Sequence, residues 1–201
     1  GAPQAVDHPD HHRTRKTALI AFGSNRSPYQ LKYKFGNLPR NRGILVEPCR
    51  IKDFDVAHAA RLTAYGAFPA ALIPAVGVEV GVAIIWLNKT QHMTMDATEA
   101  LGSSYVREQI LVPVHVGENQ VISNAVFYRT LHKSLRVDGQ IVASAGTHAE
   151  GRSSPAFSNQ QLLGLAHLRF CPEKTFEEFL LRIINDNEYR SNLSIQLTQQ
   201  G

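Results

Sequence analysis

Cysteine is scarce in this chain. Only Cys49 and Cys171 occur among 201 residues, far apart and with no partner at metal-ligand spacing. A disulfide framework is therefore not expected, and a reducing, cytoplasmic setting is. Long apolar runs are absent as well, so no segment is predicted to cross a bilayer and no membrane partner is expected. Charge of one sign is weak, with a formal net charge of +4. The basic residues are scattered except for Arg13-Thr14-Arg15-Lys16, Lys32 with Lys34, and Arg40 with Arg42. No aromatic-basic motif accompanies them, so no nucleic-acid partner is expected. Gly1-Ala2-Pro3-Gln4 lacks the charged and apolar regions of a signal peptide. His8, His11 and His12 sit in a polar terminal segment without the preorganisation a metal site needs. His58, His92, His115, His132, His148 and His167 show no ligand spacing, so no metal is expected.

What is present is ordinary for a globular chain: 43% hydrophobic and 19% charged residues, over a length that suits one domain. The division expected is a flexible N-terminal tail over 1–16 and a single domain over 17–201. Thr17 to Phe22 predicts a strand, and Pro28 to Phe35 a short helix stopped by Gly36 and Asn37. Ile44 to Val56 carries Pro48 and predicts a broken strand or an edge strand. His58 to Pro74, with Gly66, Pro69 and Pro74, predicts an irregular connection. Val78 to Leu87 predicts a buried strand. Lys89 to Leu101 has a helical composition, and Tyr105 to Val116 with Val121 to Tyr128 predicts a hairpin turning at Gly117-Glu118-Asn119-Gln120. Ala143 to Asn159 is rich in Gly, Ser, Ala and Pro and predicts a flexible excursion or a loop that orders around ligand. Two helices, about Gln160 to Leu168 and Thr175 to Asn185, are predicted to close the chain. The fold class expected is α+β, a small mixed β-barrel with helices packed outside.

The most informative stretch is Phe22-Gly23-Ser24-Asn25-Arg26, between the apolar run Ala18-Leu19-Ile20-Ala21 and Ser27-Pro28. A strand that breaks at Gly-Ser-Asn and restarts as a helix leaves backbone N–H groups turned into one small space, which favours an anion or a polarised carbonyl oxygen. Further on, Met95-Asp96-Ala97-Thr98-Glu99 ends a helical segment, with Asp96 and Glu99 three apart and near one face. Read alone, the first stretch is more often an ordinary capped turn and the second more often a solvated helix end.

Together with Pro69-Ala70-Ala71-Leu72-Ile73-Pro74, Gly77 and Gly81, the strand ending in Trp86-Leu87, Tyr105-x-Arg107 and Ala125-x-x-Tyr128, these segments resemble the γ-glutamylcyclotransferase-like family. That family carries Tyr-Gly-Ser-Asn-Leu, Leu-Asp-x-x-Glu-Gly and Ala-x-x-Tyr in this order, and the match spans roughly Thr17 to Tyr128.

The resemblance implies intramolecular aminolysis without metal or cofactor. The α-amine of a γ-glutamyl amine, amino acid or peptide attacks its own γ-carbonyl, forming 5-oxoproline and releasing an amine. Glu99 matches the family's catalytic glutamate and would act as general acid and base. Phe22, Gly23, Ser24 and Asn25 would form the substrate cradle. Tyr128 would turn a hydroxyl toward the pocket or pack as a strand tyrosine. Tyr105 and Arg107 would line the site or face solvent, and Arg26 would pair with an anionic leaving group or lie in solvent. Phe22 stands where the family has Tyr, Arg26 where it has an apolar residue, and Ala100 where it has Gly. Two other readings stay open: a non-catalytic module binding an amino-acid-like or peptide ligand, and a related amide hydrolase or acyltransferase. The sequence sets no oligomeric state.

Overall fold

Residues 18–21 are apolar without interruption and buried throughout, as expected of a strand with neighbours on both sides and covered faces. In the structure, a computed structural model that describes residue 13, residues 16–36 and residues 43–199, they belong to β1 (Thr17–Ala21). There follow α1 (Pro28–Phe35), the long strands β2 (Leu45–His58) and β3 (Ala70–Leu87), and α2 (Lys89–Thr98). Four strands come next, β4 (Tyr105–Gln109), β5 (Val114–Val116), β6 (Gln120–Ile122) and β7 (Val126–Thr130). The tail histidines His8, His11 and His12, the stop residue Asn37 and the basic residues Arg40 and Arg42 lie outside the described residues.

The chain divides into two compact units, the first formed by residues up to Ile51 with Gly81–Arg129, the second by Lys52–Val80 with Thr130 onward. In the first unit β1 runs antiparallel to β3, from Thr17 opposite Leu87 to Ala21 opposite Ala83, and parallel to β7 at Leu19 and Val126. Leu31 and Phe35, four apart on α1, join Leu19, Ala21, Ile85, Leu87, Met95 and Tyr128 in one core cluster. Helix α2 starts with a reciprocal cap: the Asn88 side chain accepts from Gln91 N–H and the Gln91 side chain accepts from Asn88 N–H, both at 2.9 Å. Glu47 accepts from Trp86 Nε1 at 2.7 Å and from Arg13 Nε at 3.0 Å.

The second unit adds the short strands β8 (Arg136–Val137), β9 (Gln140–Ile141), β10 (Ala143–Ser144), β11 (Ala149–Glu150) and β12 (Ala156–Phe157). It closes with α3 (Asn159–Phe170), α4 (Phe176–Asn185) and α5 (Asn187–Gln199). Its core gathers Leu62, Phe68, Leu162, Phe179, Ile183 and Leu193, among others. No helix of the described residues is long and apolar enough to cross a membrane.

The α+β class holds, with five α-helices and a large mixed sheet among the described residues. The barrel does not. The main sheet runs β12-β10-β2-β3-β1-β7-β4 and ends at β12 and β4 without closing. Closure needs two edges long enough to pair, whereas β12 has two residues and β4 exposes Arg107, Glu108 and Gln109, a polar edge that resists pairing. Pro48 does not break β2, because it is exposed while Cys49 to Ile51 pair with β5. The hairpin forms between β5 and β6, from Val114 opposite Ile122 to Val116 opposite Gln120. Its outer arms are interrupted around Pro113 and Asn124.

Two further differences fall in the second unit. The 143–159 stretch is tied down rather than loose: β10 pairs with β2 and β12, and β11 pairs with β3. Arg152 also grips Asp55 through Nε to Oδ2 at 2.8 Å and Nη2 to Oδ1 at 2.6 Å. A Cβ on Gly151, whose φ is +75°, would lie 2.4 Å from the Gly77 carbonyl oxygen, so glycine allows this close approach. The chain also ends in a third helix that the sequence pattern did not disclose. Asp186, which looks like part of a polar stop, accepts from Tyr189 N–H at 2.9 Å and starts α5.

The Asp55 and Arg152 side chains are 5% and 12% exposed. Leaving one of two such charges without its partner is costly, so Arg152→Ala is expected to lower unfolding free energy by about 3 kcal/mol, measured by urea denaturation. Replacing both residues with apolar ones is expected to cost less than the single change.

His58 Nε2 lies 3.0 Å from the Phe157 carbonyl oxygen, which can only accept, so Nε2 carries the proton. Nδ1 is buried without a partner. Burial lowers the imidazole pKa from 6.5, outweighing the nearby backbone of Phe157 and Phe68, which raises it. Below about pH 6.5 the unfolded chain therefore takes up a proton that the folded chain refuses, and stability falls with pH. The expected outcome is a larger drop in urea midpoint between about pH 7.5 and 5.5 for the wild type than for His58→Gln.

Candidate functional site

β1 ends at the core of the first unit, and the chain turns there through a single 3-10 turn, Ser24–Arg26. Arg26 N–H donates to Gly23 O at 3.3 Å and Ser27 N–H to Ser24 O at 2.9 Å. The N–H groups of Gly23, Ser24 and Asn25 take no part in these turn bonds. Proline opens α1, where its missing donor costs nothing. Ser27 stands at the cap position without a side-chain cap bond.

Two inward helix stripes meet at the turn. On α1, Leu31, Lys34 and Phe35 share one face; on α2 and its end, Gln91, His92, Met95 and Glu99 do. The two helices pack together. Asn25 Nδ2 donates to Glu99 Oε1 at 2.8 Å, so the acid at the end of α2 reaches the Gly-Ser-Asn turn. Lys34 Nζ donates to Asn25 Oδ1 at 2.8 Å, forms an ion pair with Glu99 Oε1, and points a further donor at Met95 Sδ, 3.5 Å away. The side chains of Lys34 and Glu99 are 5% and 13% exposed.

Asp96 serves a different set. Its Oδ1 accepts from Tyr128 OH at 2.6 Å and its Oδ2 from Arg107 Nη1 at 2.8 Å. The Asp96 and Glu99 side chains leave one helix turn in different company, while the backbone joins the two residues, Glu99 N–H donating to Asp96 O at 3.2 Å. Tyr128 is buried, and its hydroxyl is committed to Asp96; burial first, then the bond to Asp96, raises its pKa well above the ordinary 10. His92, one turn before Asp96, is buried with neither ring nitrogen hydrogen-bonded. Its pKa is lowered by that burial, against the opposing pull of Asp96 and with a smaller push from Arg107.

Of the other residues singled out in the sequence, Phe22 is buried, Ser24 is exposed, and Gly23 and Arg26 are partly buried. Tyr105 packs against the core cluster, and its carbonyl accepts from Gly102 N–H at 2.9 Å. Arg107 is half exposed beside Asp96. Lys34 was missed as a site residue. The signal was available: a lysine at the third position after Leu31, just before Phe35, falls on the helix face that must be buried. Two surface cavities of about 350 and 730 Å3 lie in the second unit and contain none of these residues. Among the described residues no group of three or more His, Cys, Asp or Glu side chains is placed to hold a metal.

Ala100 adopts φ +47°, in the left-handed region, directly after Glu99.

No protein-family model matches the chain, and no curated protein matches it. Solved structures do. γ-Glutamyl cyclotransferases are among the structures it is similar to. One protein of that name is 15% identical over 92% of this chain and 99% of its own, with a TM-score of 0.49. A yeast γ-glutamyl cyclotransferase specific to glutathione is 12% identical over 92% and 97%, with a TM-score of 0.35. An uncharacterized human protein is 21% identical over 59% and 69%, with a TM-score of 0.49.

Left-handed backbone costs a non-glycine residue about 1–2 kcal/mol, offset in part by the greater chain entropy glycine loses on folding. Ala100→Gly is therefore expected to stabilise the protein by about 0.5–1 kcal/mol, read as a higher urea midpoint.

Proposed function

We propose that this chain is a γ-glutamyl cyclotransferase acting on a small-molecule or peptide γ-glutamyl substrate. One observation carries the reading: the 2.8 Å bond from Asn25 Nδ2 to Glu99 Oε1, which joins a carboxylate to the Gly23-Ser24-Asn25 turn. In this reading the substrate's α-ammonium gives a proton to Glu99, and the freed amine attacks the γ-carbonyl carbon. One C–N bond forms as a five-membered ring closes. The N–H groups of Gly23, Ser24 and Asn25 stabilise the oxyanion. When the intermediate collapses, the original amide C–N bond breaks, the leaving nitrogen takes the proton back from Glu99 and then the second proton that the ring nitrogen sheds, and 5-oxoproline departs with the amine released as its ammonium. No water is consumed. Nucleophile and electrophile belong to one molecule, so holding the substrate folded supplies much of the acceleration.

Phe22 and Tyr105 contribute packing to this reading. Tyr128 acts through Asp96, and Arg26, the last residue of the turn, is in this reading the partner of an anionic leaving group. The two free, buried cysteines suit a cytoplasmic setting.

The Lys34–Glu99 ion pair favours one alternative, a non-catalytic module in which the chain's own ammonium keeps the carboxylate engaged. Incubation with a panel of γ-glutamyl amines, amino acids and peptides separates the two. The expected product is 5-oxoproline, identified by mass, with Glu99→Gln slower by at least about 100-fold. Free glutamate instead would identify a hydrolase, and binding without turnover would identify the module.

A further inference from the structure

Lys34 is placed where a surface helix would not put a lysine. An ammonium has three N–H donors and no acceptor, and this one meets three acceptors: Glu99 Oε1, Asn25 Oδ1 at 2.8 Å and Met95 Sδ at 3.5 Å. With 5% of its side chain exposed, it depends on those partners rather than on water.

An ion pair alone would need only Lys34 and Glu99. The third member, Asn25, carries the inference. A side-chain amide accepts through oxygen and donates through nitrogen, and here it stands between a group that only donates and a group that only accepts. With Lys34 on Oδ1, Nδ2 must face the carboxylate, which is the arrangement found. The three contacts close a ring in which each fixes the other two. Both bonds to Glu99 end on Oε1, and Oε2 accepts no hydrogen bond among the described residues. The turn that carries Asn25 and the helix end that carries Glu99 are thereby locked to each other through α1.

The geometry points to Lys34 as a positioning residue for the proposed cyclisation: it pins Oε1 together with Asn25, so that Oε2 is the oxygen that takes and returns the proton. The chemical part rests on the cyclotransferase reading. The geometric part does not, and the test separates them.

Lys34→Met keeps the length of the side chain and removes its charge and donors. Lys34→Ala leaves a space that propylammonium can fill. On a substrate that the wild type converts to 5-oxoproline, Lys34→Met is expected to lower kcat by about 100-fold, with KM within about threefold of wild type. Propylammonium is expected to restore part of the kcat of Lys34→Ala, whereas tetramethylammonium, which has no N–H, is not. Because rescue is read on one folded variant, loss of stability cannot imitate it. Without substrate, the Asn25 side-chain amide protons are expected to exchange slowly with water in the wild type and rapidly in Lys34→Met, measured by NMR. Unchanged kcat in both variants, lost activity that propylammonium does not restore, or an Asn25 amide indifferent to Lys34→Met would each overturn the assignment. If the wild type forms no 5-oxoproline from any γ-glutamyl compound, the cyclotransferase reading fails, and Lys34 is then judged on the amide protons alone.

Discussion

A charged pair held between two inward-facing helix stripes constrains everything at the turn. Lys34 and Glu99 come from α1 and from the end of α2, and both side chains are nearly out of water. Such a pair persists only where its remaining hydrogen-bonding capacity is met, since desolvation takes back most of what attraction gives. Asn25 meets part of it from both sides, donating to one partner and accepting from the other. The position of the turn relative to the two helices follows from that requirement. So does the place of β1: its apolar run needs partners on both edges, and once β3 and β7 supply them, its carboxyl end can deliver the turn only to the helices packed over it.

The sequence disclosed the parts with a strong local pattern. The strand at 17–21, the helix from Pro28 to Phe35, the buried end of β3 and the helix at 176–185 follow from apolar periodicity and from Pro and Gly punctuation. The reach of Glu99 to the turn could be expected only through the ordered motifs, because no local rule links residues 25 and 99. The burial of Lys34 was readable: paired by composition with Lys32, it lies in phase with Leu31 and Phe35. Helix α5 was hidden for the opposite reason. Its buried face rests on Leu193 and Leu197 with a partly buried Tyr189, too few apolar residues to stand out, and its helicity is secured by a cap at Asp186 and by packing in the second core. The open sheet lay beyond local reading, since closure depends on what the edge strands meet.

The two units handle buried charge by similar means for different ends. In the second, Arg152 reaches across a Gly-Ser-rich stretch to a bidentate contact with Asp55 while also donating to the Thr147 carbonyl, and composition that suggests looseness becomes an ordered segment. Both oxygens of Asp55 have a donor there, Oδ1 also accepting from Val56 N–H at 2.7 Å. That is a structural clasp. In the first unit, the bonds converge on a single oxygen of Glu99 and, among the described residues, leave the other without a donor, an asymmetry that stability alone does not call for.

Asp96 shows why the second carboxylate of the same motif is not a substitute. Tyr128 donates to one of its oxygens and Arg107 to the other, so both are occupied and the group acts as a brace between α2 and the strands β4 and β7. A base needs an oxygen that can exchange its partner for a proton within each turnover. Breaking either Asp96 contact would strip a buried phenol or unpair an arginine, whereas Glu99 Oε2 can take a proton while Oε1 keeps both of its bonds. Three residues apart on one helix end, the two acids are thus divided by their neighbours into one with a donor on each oxygen and one, the acid that the proposed cyclisation would use, whose hydrogen bonds among the described residues share a single oxygen.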